Sequence, residues 1–191
     1  MAHILIVNNA ERGIREFAEP IEKIIEGKGS TCVFIEYEDC LNADFKLYDG
    51  VVMTGSPQGD DIVEHHSPFF WWIKNCKVPV FGICAGHHIT GYIYGAEILR
   101  SIESESGDFQ VELLKEDPIL KGISSTIKVR QMHNDSITLP KDFVLLGSSK
   151  NCKNQLMKHK QRPVYTAQFH PEYYNHDLIG NFISICDNYS D

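Results

Sequence analysis

The residues best suited to chemistry are a cysteine set between glycines, Gly82-Ile83-Cys84-Ala85-Gly86, and a histidine followed two residues on by a carboxylate, His170-Pro171-Glu172. A cysteine acts as a nucleophile through its thiolate. To attack an amide, it needs a general acid that protonates the departing ammonia and a third group that orients that acid. His170 and Glu172 supply these functions, because the bend set by Pro171 lets the carboxylate turn back onto the imidazole. Taken singly, each segment is weak: most free cysteines are small buried apolar side chains, and a histidine at a strand end is more often a hydrogen-bonded bystander. Their co-occurrence gives them force.

The elements around these residues are what would position them. Val78 to Ile83 reads as a buried strand running directly into Cys84. Ala85 to Ala96 carries Ile89, Tyr92, Ile93 and Ala96 at helical spacing. A strand, a glycine-flanked nucleophile and a helix make a nucleophile elbow. Its glycines answer to a tight turn with a strained backbone, and the helix start points unpaired N–H groups at the sulfur, which favours thiolate. Val164 to Phe169 reads as another strand, with His170 at its end.

Further strands are expected at 3–8, 32–37 and 50–55, with a helix carrying Ile14, Phe17, Ile21, Ile24 and Ile25 and a second helix around Pro68 to Asn75. Strands alternating with helices predict an α/β fold with a largely parallel central sheet and helices on both faces. The second half changes character: 98–104, 109–115, 126–132, 143–149, 155–159 and 163–169 read as short strands. They predict an antiparallel extension before a final helix near 177–188.

At 191 residues the chain has the size of one domain, with no linker or repeat to divide it. Its 42% hydrophobic and 23% charged residues are those of a globular protein, and a net charge of −8 gives no basic footprint for nucleic acid. No apolar run is long enough to span a bilayer or form a signal-peptide core, so a cytoplasmic protein with no membrane partner is expected. The six cysteines stand singly, which predicts reduced thiols rather than a disulfide framework. The doublets His65-His66 and His87-His88 have no cysteine or carboxylate at metal-ligand spacing, so no metal and no other cofactor is expected.

GICAG at 82–86 together with QFHPE at 168–172 resembles the class I, triad-type glutamine amidotransferases. The resemblance covers nearly the whole chain, including the opening strand, the Thr54-Gly-Ser-Pro57 turn and the C-terminal helix. It implies a flavodoxin-like core, residues 1–191 as one amidotransferase domain, and a catalytic Cys84, His170 and Glu172. It also implies an oxyanion hole built from the backbone N–H groups of Ala85 and Ser56, with Gly55 among the residues that bind substrate. The segment from Val129 to Phe143, with His133-Asn134-Asp135 at its centre, looks like the amidotransferase domain of GMP synthetase and brings Asn134 and Asp135 to the substrate. One position departs from the family pattern: His88 stands where a glutamine usually contacts substrate.

The resemblance implies that glutamine is hydrolysed to glutamate and ammonia through a γ-glutamyl thioester. The chain carries no glycine-rich phosphate loop and no S-G-G-x-D-S motif, so a nucleotide-activating function is expected in a separate ATP-pyrophosphatase subunit, of GMP synthetase type. Two other readings stay open at this point. One is a stand-alone γ-glutamyl hydrolase or peptidase using the same triad, which His88 favours. The other is a non-catalytic regulatory homologue, against which the intact triad argues.

Overall fold

A computed structural model describes residues 1–59 and 61–190. Among these residues, eleven strands and five α-helices form in the order β1 (His3–Asn8), α1 (Ala18–Gly27), β2 (Thr31–Glu36), β3 (Gly50–Met53), α2 (Ile62–His66), β4 (Val80–Ile83) and α3 (Ala85–Ile93), followed by β5 (Ile98–Leu99), β6 (Glu105–Leu113), β7 (Thr126–His133), β8 (Ser136–Ile137), β9 (Phe143–Ser148), β10 (Leu156–His159), β11 (Val164–Ala167), α4 (Pro171–Tyr174) and α5 (His176–Asn188).

Nine strands make one sheet, ordered β2-β1-β3-β4-β11-β10-β9-β6-β7. The first five are parallel, and their order is that of a flavodoxin-like doubly wound sheet. From β11 onward the pairings are antiparallel, so the expected extension is continuous with the parallel core. A separate antiparallel pair joins β5 to β8, Ile98 opposite Ile137.

Because side chains alternate along a strand, β1 feeds two cores. Ile4 and Ile6 pack with Ile21 and Ile25 of α1 and with Leu178 and Phe182 of α5. Leu5 and Val7 face the other way, onto Ile89 and Ile93 of α3 and onto Phe70 and Ile73. Two covered faces account for the near-continuous apolar runs of the parallel strands.

Some expected elements form differently. The helix expected to carry Ile14 and Phe17 starts at Ala18. Pro20 is tolerated in a first helical turn, but in a helix begun at Ile14 it would be interior and could not donate to the turn before. Residues 68–75 form two 3₁₀ turns, Ser67–Phe69 and Trp71–Lys74, separated by Phe70 at φ −119°. Packing decides this: Phe70 is fully buried, and Trp72 stacks on Phe45 with ring centroids 4.0 Å apart. The strand expected over 98–104 stops at Leu99, and Ser101 takes a positive φ of 52°. β6 starts earlier than expected, at Glu105.

In a doubly wound sheet, sites form outside the carboxyl ends of the parallel strands. Here those ends carry Asn8 and Asn9, the turn after Met53, Cys84 and, past β11, His170.

Candidate active site

Cys84 is the N-cap of α3 and has φ 49° and ψ −98°, a conformation that costs a non-glycine residue on the order of 1–3 kcal/mol. It is held there from both sides. Its N–H donates to Ala167 O at 2.8 Å, and its carbonyl accepts from His87 N at 2.9 Å and His88 N at 3.1 Å. The glycines of the elbow are required by close approach. A Cβ on Gly82 would lie 2.5 Å from Gly86 O, and one on Gly86 would lie 2.9 Å from Met53 O. Only without those carbons can the start of α3 settle onto β3 and β4.

His170 follows β11, with its backbone N–H donating 3.0 Å to Arg130 O on β7. Pro171 opens α4, which places Glu172 in the first turn and brings its Oε1 2.7 Å from His170 Nδ1. Both side chains are 1% exposed. The imidazole is confined on one face and at its edge: Phe17 stacks on it with centroids 5.0 Å apart, and a Cβ on Gly55 would come within 2.7 Å of its Cε1.

Burial of that ring pushes its pKa down, but its electrostatic and hydrogen-bonding interactions with Cys84, then with the Glu172 carboxylate, overcome this and raise it to about 10. The ring is therefore charged at neutral pH. Among the described residues Nε2 has no hydrogen-bond partner of ordinary geometry, and the charge of Cys84 is the largest of the effects that raise the ring's pKa. A charged imidazole beside a cysteine sulfur, oriented by a buried carboxylate, can deliver a nucleophile and then a proton to a leaving group.

The turn after β3 is braced by Thr54. Its Oγ1 accepts from Asn9 N at 2.9 Å and donates to Gly55 O at 2.8 Å, while its carbonyl accepts from Asn9 Nδ2 at 2.6 Å and from Gly86 N at 3.3 Å. The turn and the elbow are thereby tied to each other. Ala85 is the first residue of α3, so its N–H has no carbonyl one turn back.

Ser56, Ala85, Cys84, His88, Asn134 and His170 all line one cleft of about 360 Å³. Phe17, Pro57, Ile62 and Met132 complete much of its wall. A larger hollow of about 900 Å³ lies along 113–125 and contains none of the motif residues.

The histidine doublets separate by environment. His88 faces the cleft, with Nε2 2.6 Å from Gln168 Oε1, which joins the two sequence motifs directly. His87 points into the core, 2.7 Å from Thr166 Oγ1, and burial followed by repulsion from His88 and His133 holds its pKa well below the usual range. His66 stacks on Tyr37 at 3.8 Å and reaches Asn9 O at 3.0 Å, with burial lowering its pKa to about 4.

Asp135, expected at the substrate, is not among the cleft-lining residues. Its carboxylate is buried against Arg100 Nη1 at 2.6 Å and Ser101 N at 3.0 Å. Three side chains that sequence spacing does not connect, Glu105, His133 and Cys152, come within 4.8 Å of one another. Glu105 already accepts from Gln155 Nε2 at 2.6 Å and Ser149 Oγ at 2.7 Å, and His133 Nδ1 lies 2.8 Å from Asp135 O. These contacts brace the loop that presents Asn134. Phe17 is a site residue that sequence patterning does not reveal, since it carries the periodicity of a helix face.

Residues 15–182 match the family model described as glutamine amidotransferase class-I. The glutamine-hydrolyzing GMP synthase component of Thermoplasma acidophilum is 36% identical over 157 residues, covering 79% of this chain and 78% of that protein. Its counterpart in Pyrococcus furiosus is 32% identical over 148 residues, 72% of this chain and 75% of the relative. A crystal structure of a GMP synthase component from Thermoplasma acidophilum superposes with a TM-score of 0.89 at 30% identity, covering 99% of this chain and 96% of the other.

Proposed function

The chain belongs to the class I glutamine amidotransferases, and on that premise we propose that it hydrolyses glutamine with Cys84, His170 and Glu172 and passes the ammonia to a separate synthetase subunit. The observation that carries this reading is the placement of His170: a buried imidazole clamped by Glu172 at 2.7 Å that lines one cleft with Cys84 at the elbow.

In this mechanism the Cys84 sulfur attacks the side-chain carbonyl carbon of glutamine, forming a C–S bond and a tetrahedral oxyanion. The N–H groups of Ser56 and Ala85 stabilise that oxygen; loss of one such donor costs about 100- to 1,000-fold in turnover. As the C–N bond breaks, His170 gives its proton to the nitrogen, and ammonia leaves a γ-glutamyl thioester. Neutral His170 then takes a proton from water, whose oxygen attacks the thioester carbonyl. The C–S bond breaks, glutamate departs, and the thiolate and imidazolium are restored. Glu172 holds the ring in one orientation and stabilises its charged form. His88 and Asn134, which both line the cleft, contact the substrate glutamine.

The names of the relatives point to GMP synthase as the assembly, so the partner is a GMP-forming ATP-pyrophosphatase subunit that holds the nucleotide substrates. Residues 1–191 act as one amidotransferase domain. Among the described residues no helix is long and apolar enough to cross a membrane. Dependence on a reduced Cys84 supports a cytoplasmic location, where thiols are kept reduced.

The test is glutamate release by wild type and Cys84→Ala, each with and without that synthetase subunit charged with XMP and ATP. The reading requires release that depends on Cys84 and rises with the subunit. Release from γ-glutamyl peptides in preference to glutamine would replace it with the stand-alone hydrolase.

A further inference from the structure

The cleft has two walls that are far apart in sequence. One is the turn after β3 with α2, contributing Ser56, Pro57 and Ile62, and the other is the end of β7 and its loop, contributing Met132, His133 and Asn134. We propose that Arg100 is a positioning residue that sets the spacing of these walls by holding a carboxylate of each in one guanidinium group.

The geometry is that of a clasp. Nη1 lies 2.6 Å from Asp135 Oδ2, next in sequence to Asn134, and 3.8 Å from Asp61 Oδ1. Nη2 lies 2.5 Å from Glu64 Oε1, on α2. The neighbouring Ser101, at φ 52°, donates its N–H to the other oxygen of Asp135 at 3.0 Å, and Ser104 Oγ donates to Asn134 O at 2.8 Å. The segment after β5 thus grips the substrate-side loop at three points. Two carboxylates on different elements suit a planar fork that lysine lacks.

The two halves of the clasp differ in strength. The Asp135 side chain is 2% exposed, so removing Arg100 strands a buried charge. Glu64 is 56% exposed, and a pair of that kind is weak and screened by salt. The α2 wall is therefore the releasable one. Because α2 follows the turn bearing Ser56, its release is felt in turnover, whereas displacement of Asn134 is felt in substrate affinity.

This inference rests on the amidotransferase reading for its kinetics but not for its geometry, and the experiment separates the two. Wild type, Arg100→Ala, Arg100→Lys and Glu64→Gln would be compared for kcat and KM with glutamine, for the rate of Cys84 alkylation by iodoacetamide, and for thermal unfolding. Weakening this exposed contact is expected to lower kcat of Glu64→Gln by about twofold to threefold with little change in KM. Arg100→Ala is expected to change both, with KM rising about tenfold or more, and Arg100→Lys to restore part of each. Alkylation of Cys84 should change several-fold in the same order. Wild-type alkylation rates and kinetics in folded Arg100→Ala and Glu64→Gln would overturn the proposal, as would a fall in melting temperature with no kinetic change. If Arg100→Ala does not fold, Glu64→Gln decides. If wild type releases no glutamate, the amidotransferase reading fails while the alkylation rates still decide the clasp.

Discussion

The ring of Phe17 lies against the imidazole of His170, with centroids 5.0 Å apart and 30° between the planes, and Gly55 occupies the space where a Cβ would meet the same imidazole at 2.7 Å. The imidazole of His170 is therefore confined on one face by Phe17 and at its Cε1 edge by Gly55. Aromatic contacts of this kind contribute about 0.5–1.5 kcal/mol beyond their burial. Phe17→Ala should lower kcat about tenfold by admitting water and motion to the ring, with Phe17→Leu recovering part of the loss. Gly55→Ala should be more severe, because the added carbon forces the imidazole to move. Steady-state glutaminase kinetics alongside thermal unfolding would check both; unchanged kcat in folded Gly55→Ala would show that the ring has room the structure does not give it.

The charge on His170 sets an alkaline limit. Its pKa is raised from an ordinary 6.5 to about 10, against the opposing effect of burial, by Cys84 and then Glu172. A group whose folded pKa is raised stabilises the fold fully below its unfolded pKa and loses that contribution as pH rises through the folded value. Stability and turnover should both decline as pH rises toward and past 10. Glu172→Gln removes one source of the shift, so its alkaline limb should move to lower pH. A pH profile of kcat for the two proteins would check this, and a limb that stays in place in Glu172→Gln would contradict it.

His88 and Gln168 connect the helix that Cys84 caps to the segment bearing His170, 2.6 Å apart and both buried. Removing a partner from a buried polar group costs about 1–3 kcal/mol. His88→Ala should therefore weaken glutamine binding, raising KM roughly tenfold or more, and lower the melting temperature by a few degrees. His88→Gln can keep a hydrogen bond to Gln168 and should recover much of both. If His88→Gln instead gains activity on glutamine and loses it on γ-glutamyl peptides, the histidine is a specificity residue.

Much of this is legible in the sequence, because the relevant signals are local. Gly82 to Gly86 announces an elbow through glycines whose positions no Cβ can occupy, and the apolar runs of β1, β3 and β4 announce a sheet covered on both faces. What the sequence does not disclose depends on contacts between distant segments. Phe17 carries helical periodicity with Ile21 and Ile24 but sits before the helix, free to turn onto His170. Nothing local to Arg100 indicates that Glu64 and Asp135 converge on it. Glu105, His133 and Cys152 meet because β6 and β7 pair and the loop after β9 folds back beside them.

Covalent capture of the acyl intermediate tests most directly whether Cys84 is the nucleophile. The protein would be mixed with glutamine, quenched in acid within milliseconds to seconds, digested and analysed by mass spectrometry. A γ-glutamyl thioester is expected on the peptide containing Cys84, absent from Cys84→Ala and decaying as glutamate appears. Glutamate release that persists in Cys84→Ala, with no adduct on wild type at any time point, would contradict that role.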